Sequence, residues 1–88
     1  MRTTIDQMHE RLVVLEPQAI NITDDSAKHA GHAGARSGGG HYRMTIVSPR
    51  FAGMAMMARH RLVYDALGSL MQHDIHALSI TARTPQDI

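Results

Sequence analysis

The sequence predicts a two-layer α+β domain with the element order α-β-β-α-α-β. Three observations carry that prediction. "AINITD" and "HYRMTIV" alternate apolar and polar residues as half-buried strands do; "RHRLVYDALGSLMQ" carries a broad apolar stripe at helical spacing; and "IHALSITA" returns to a β-branched, alternating pattern. At 88 residues the chain is expected to form a single domain spanning residues 1–88, whose one core buries roughly 60% of the unfolded surface.

Each element has its own signal. Residues 4 to 15 place Ile5, Met8, Leu12 and Leu15 on one helical face, and Thr4 followed by Gln7 matches a capping box, so a helix is expected to end before Pro17. From Ala19 to Asp24, Ile20 and Ile22 alternate with Asn21 and Thr23, and Asp24, Asp25 and Ser26 close this first strand. Ala27 to Gly40 is rich in glycine and alanine, has no periodicity and is long for a hairpin connection.

His41 to Val47 is expected to be a second strand, antiparallel to the first, with Tyr42, Met44 and Ile46 on one side and Arg43 and Thr45 on the other. Ser48-Pro49 ends it. After the turn "SPRFAG", Met54 to Met57 reads as a short helical turn. Arg59 to Gln72 reads as the main helix, with Leu62, Val63, Ala66, Leu67, Leu70 and Met71 on its apolar stripe. The third strand starts at Ile75, and Leu78 and Ile80 continue the parity of His76, which places that histidine on their face. The 28 residues from Ser48 to Ile75 suffice for a right-handed crossover that sets the third strand parallel to the second.

Composition excludes several functions. Nine basic and eight acidic residues give a net charge of +1, so no electrostatic excess demands nucleic acid. With no cysteine, the chain has no disulfide and no thiolate of its own for zinc or an iron–sulfur cluster. No apolar stretch approaches the roughly 20 residues that span a bilayer, and the N-terminus lacks the features of a targeting segment, so a cytoplasmic protein is expected. Hydrophobic residues make up 43% with few aromatics, so a core built from Leu, Ile, Val, Met and Ala is expected, with most of the seven methionines filling gaps.

Enzyme motifs are missing. "GARSGGG" lacks the Lys-Ser/Thr of a phosphate-binding loop and leads into a strand, and neither G-x-S-x-G nor H-E-x-x-H occurs. His76 and Ser79 have no third group to complete a nucleophilic triad. The chain is therefore read as a non-enzyme.

Histidines are the stronger signal. His29, His32 and His41 lie on or beside one loop, and His76 opens a strand; neutral imidazoles could serve as metal ligands, or they could be solvated or structural residues. In "RHR", Arg59 and Arg61 flank His60 near a helix start, where positive charge opposes the macrodipole. That placement suits an anionic partner, a phosphate or an internal carboxylate such as Asp65.

"SAKHAGHAGA", "HYRMTIVSPRFAG" leading into "RHRLVYDAL", and "IHALSITARTP" together resemble the BolA family, over about Ile5 to Pro85. The spacing Phe51-x-Gly53-x5-Arg59-His60-Arg61 followed by Ile75-His76-Ala77-Leu78 carries the resemblance. It implies a class II KH-like fold, with a three-stranded mixed sheet and helices on one face. It also implies a heterodimer with a monothiol glutaredoxin of the C-G-F-S type that shares a [2Fe–2S] cluster. The glutaredoxin cysteine and glutathione would supply sulfur, and this chain histidine.

The ligands implied are His76 and one loop histidine. Counting forward from "DDS" gives His29, and counting back from His41 gives His32. His41 itself begins a strand and is expected to be structural or partner-facing; the glycines before it, where many members carry an acidic residue and a Thr or Ser, are expected to loosen the loop. Replacing thiolate by neutral imidazole lowers the negative charge of a cluster and raises its potential, and acid should release it. Arg59, His60 and Arg61 are candidates for partner docking or fold support.

The alternative is a DNA-binding transcriptional regulator using the KH-like fold, with Arg43, Arg50, Arg59 and Arg61 on the phosphates. Against it, "RFAGMAMM" has one glycine where nucleic-acid-gripping KH loops have G-x-x-G.

Overall fold

The protein is represented by a computed structural model, of which residues 2–26 and 40–87 are described. Its first helix, α1, spans Thr4–Leu12 and tightens into a 3-10 turn at Val13–Leu15. The capping box sits one residue earlier than the sequence pattern predicts. The Thr3 hydroxyl accepts from the Asp6 N–H and the Asp6 carboxylate accepts from the Thr3 N–H, both at 3.0 Å. Shifting the start by one puts Asp6 at the third helical position, where its carboxylate reaches back to the Thr3 N–H and the helix dipole favours its charge. Glu16, at φ 50°, then turns the chain toward Pro17.

Three strands follow the expected topology. β1 (Ala19–Asp24) pairs antiparallel with β2 (Gly40–Val47), and β2 pairs parallel with β3 (Ile75–Arg83), giving a mixed sheet in the order β1-β2-β3. Ile20, Ile22, Tyr42, Met44, Ile46, Leu78, Ile80 and Ala82 face the helices. On the opposite face Asn21, Thr23, Arg43, Thr45, Ser79, Thr81 and Arg83 are exposed. Gly40 belongs to the strand, not to the loop before it.

The crossover divides differently from the expectation. One helix, α2, runs Met56–Leu67 and takes in Met56 and Met57 of the expected methionine turn and most of the expected main helix; Gly68 stops it, and a single turn, α3, forms at Leu70–His73. Gly68 sits at φ 56°, a conformation that side chains resist, so the helix cannot continue smoothly to Gln72. Arg11 from α1 donates to the Leu67 carbonyl at 3.2 Å, covering one of the carbonyls left open at that end. The apolar stripe survives the break, since Val63, Leu67 and Leu70 are all buried.

The core joins both layers. Met8 and Leu12 of α1, Met44 and Ile46 of β2, Phe51 of the Pro49–Phe51 3-10 turn, and Val63 and Leu67 of α2 are all fully buried. Met8 and Met44 fill space as expected of methionine. Met56 and Met57 do not, being 54% and 81% exposed.

Candidate metal-ligand site

The site forms where the first residues of β2 and β3 lie side by side. In the parallel register Gly40 pairs with Ile75 and His41 with Ala77, so His76 is an extra residue on β3, a bulge of a kind uncommon between parallel strands. The extra residue slips the side-chain alternation by one. Ile75 therefore points into the core, and His76 and Ala77 are both exposed. The expectation that His76 shares the face of Leu78 and Ile80 is overturned: parity counted across a bulge fails, and the imidazole is presented to solvent.

His41 is the neighbour it meets. The two rings have centroids 5.1 Å apart, inclined at 42°. Backbone hydrogen bonds fix the strand start that carries His41: its N–H donates to the Ser26 hydroxyl at 3.1 Å, its carbonyl accepts from Asp25 at 2.7 Å, and the Gly40 N–H donates to the Asp74 carbonyl at 3.0 Å. Asp24 closes β1 by accepting from the Ser26 N–H at 2.8 Å; the Ser26 side chain first, and then this N–H, hold the Asp24 carboxyl below its ordinary range. A cavity of about 270 Å³ on the open face is lined by Asp25, His41, Ala77 and Ser79 among others.

Gly40 is needed here for space. A Cβ at this position would lie 2.6 Å from the Tyr42 ring and hydroxyl, so the nearly buried tyrosine packs directly over the glycine backbone. This glycine therefore shapes the strand start instead of loosening it.

His29 and His32, the two loop ligands expected, lie outside the described residues. Among the described residues no three His, Asp or Glu side chains gather into a group that could hold a metal ion. The donors brought together are the His41 and His76 imidazoles. This pairing was not predicted from sequence, although a signal was present: both strands open with histidine at their first or second residue, and parallel strands place their starts at the same end.

The "RHR" motif divides by role. Since α2 begins at Met56, the motif lies about one turn inside the helix, where the dipole penalty on cations has largely faded. Arg59 points inward, with its side chain 14% exposed. It donates to the carbonyls of Met54 and Ala82, each at 3.0 Å, and to Asp87 at 2.8 Å. Arg59 thus supports the fold. His60 is half-buried, and its Nε2 has no hydrogen-bond partner among the described residues. Arg61 is exposed and lines a cavity of about 280 Å³ with Met57, His60 and Tyr64.

Of the four arginines of the DNA reading, three pair with a carboxylate of the chain. Arg43 lies on the open sheet face and pairs with Asp25 at 3.3 Å. Arg50 follows β2 and pairs with Glu16, its Nε 2.8 Å from the carboxylate. Arg59 is engaged with Asp87, which leaves Arg61 as the exposed member on α2.

This fold, a mixed three-stranded sheet with a parallel crossover and a histidine at its open end, defines a small KH-like α+β domain. Residues 13–87 match the family model described as BolA-like protein, and the chain belongs to that family. It is 40% identical over 79 residues to SufE-like protein 1, chloroplastic/mitochondrial, of Arabidopsis thaliana, covering 84% of this chain and 21% of that protein. It is 41% identical over 71 residues to BolA-like protein 1 of Mus musculus, covering 81% and 50%. Identity to the DNA-binding transcriptional regulator BolA of Vibrio cholerae is 38% over 72 residues, covering 82% and 65%. The chain thus spans less than two thirds of each of these relatives. Among solved structures, BolA1 from Arabidopsis thaliana superposes with a TM-score of 0.84 at 36% identity, covering 100% of this chain and 99% of that one. Among the described residues, no helix is long and apolar enough to cross a membrane.

Proposed function

We propose that the chain is a non-enzymatic adaptor that docks on a monothiol C-G-F-S glutaredoxin and takes part in holding a [2Fe–2S] cluster as shared cargo, in iron–sulfur assembly or iron homeostasis. The observation that carries this reading is the exposed His76 at the bulge, beside His41, in a chain without cysteine. An imidazole donor set suits one iron of such a cluster, as in Rieske centres, and fits it only in part, since the sulfur ligands must come from elsewhere. His76 would supply one nitrogen, with His29 or His32 as the second ligand, and the partner cysteine and glutathione the rest. The chain's own residues fix the site: the bulge turns His76 outward, and the hydrogen bonds at Gly40 and His41 hold the strand starts together. Exposed Arg61, with Met57 and Tyr64, is a docking surface on α2. A cytoplasmic location belongs to the same reading.

The test is visible circular dichroism of a cluster-loaded C-G-F-S glutaredoxin with glutathione, titrated with this protein. A new spectrum is expected, and His76→Ala should abolish it. An unchanged glutaredoxin spectrum would sink the proposal.

The second reading, a DNA-binding regulator, is favoured by the name of the Vibrio cholerae relative. The ion pairs on Arg43, Arg50 and Arg59 weigh against it, since each contact to phosphate would compete with a carboxylate already in place. If it holds, Arg61→Ala should weaken DNA binding and lower the log-log salt slope by about one unit.

A further inference from the structure

We infer that His41 and His76 form a two-imidazole chelate for a first-row divalent cation, held by this chain without any partner. The geometry comes first. With metal–nitrogen bonds of about 2.0–2.1 Å and about 1.1 Å from nitrogen to ring centre, two imidazoles on one tetrahedral cation have centroids about 5 Å apart. The observed separation is 5.1 Å.

The surroundings support the same assignment. The pair is carried by adjacent strands of the sheet, and the strand start bearing His41 is anchored to Ser26, Asp25 and Asp74 by backbone hydrogen bonds, so the scaffold is fixed before a cation arrives. His76 is exposed and leaves the outer side of the cation open to water. His76 is common to both readings, but His41 is not a ligand in the cluster reading and the ion here is mononuclear, so the inference stands without a glutaredoxin partner. The tetrahedral spacing matches zinc(II), and copper(II), which binds nitrogen donors more tightly by the Irving–Williams order, serves as the spectroscopic probe of the same pair.

The experiment uses copper(II) chloride and the full chain carrying His29→Ala and His32→Ala, which silences the loop histidines. Calorimetry should show one ion per chain, and adding either His41→Gln or His76→Ala should weaken it at least about tenfold, as loss of one of two ligands requires. Electron paramagnetic resonance should show coupling to two imidazole nitrogens, falling to one in each variant. His9→Ala should change neither readout. The inference is overturned if the loop-silenced chain binds no copper, or if binding persists unchanged without His41 or without His76. Circular dichroism of each apo variant confirms that it is folded, and His41→Gln retains a polar side chain of similar size should His41→Ala perturb the strand.

Discussion

Arg59 and Asp87 meet at 2.8 Å, and through that contact the middle of the crossover holds the end of β3. The same guanidinium donates to the Ala82 carbonyl, and Asp87 accepts from the Thr84 N–H at 2.8 Å, so one clamp closes α2, β3 and the 3-10 turn at Pro85–Asp87. Arg59→Ala should lower stability by about 1–3 kcal/mol, because it leaves backbone carbonyls without a donor. Lysine should restore little, lacking the planar fork. Urea unfolding is the check, read as a lower midpoint at unchanged slope. A midpoint matching the wild type would show that the clamp contributes nothing.

The clamp also makes the fold acid-sensitive. The Thr84 N–H first, and then Arg59, hold the Asp87 carboxyl down from 3.8 to about 2. A carboxyl depressed on folding stabilises the protein above its unfolded value, so this contribution is intact above pH 3.8 and fades as pH falls toward about 2. Asp6, held down by Thr3, and Asp24, held down by Ser26, act in the same direction. Stability of Asp87→Asn, followed by urea midpoints across that window, should fall less steeply than the wild type's. Parallel curves would contradict the assignment.

Gly40→Ala should disturb the strand start. Its new Cβ would need the Tyr42 ring to move, and overpacking of this kind costs about 1–3 kcal/mol. The cost should shrink in a Tyr42→Leu background, where the ring is gone, so a double-mutant cycle over the pair should show coupling. Additive effects would mean that the two do not compete for space.

Ser48 is fully buried and does two jobs. Its hydroxyl donates to the Leu15 carbonyl and accepts from the Arg50 N–H at 3.0 Å, so Ser48→Ala strands a donor and an acceptor. A loss of about 1–3 kcal/mol is expected. Thermal unfolding would reveal it; a Tm equal to the wild type's would indicate that water replaces the hydroxyl.

His76→Ala should separate function from folding. The side chain is exposed, so its removal should change stability by no more than about 0.5 kcal/mol while the cluster spectrum of a glutaredoxin complex is lost. Loss of both together would make His76 a structural residue.

The strands were legible because alternation is local: Ile20, Ile22, Met44 and Ile46 declare their face by spacing alone. The parallel placement of β3 followed from crossover length. The face of His76 was not legible, since a bulge is a property of two paired strands and leaves no mark in either one read singly. The helix break at Gly68 was visible as a glycine, but the continuous apolar stripe across it outweighed one residue. An internal carboxylate for the arginine pair was foreseen, with Asp65 as the example, but the acid Arg59 reaches, Asp87, lies 28 residues away on another element and carries no local signal. His41 and His76 were each noted, and only the register brought them together.

The parallel pairing of β2 with β3 also sets when the imidazole pair comes into being. Residues 40–47 cannot find residues 75–83 until the whole crossover has been synthesised and folded back, a long-range closure that ranks among the slower steps of folding. During translation His41 emerges well before His76, so these two imidazoles meet only once β2 and β3 have paired.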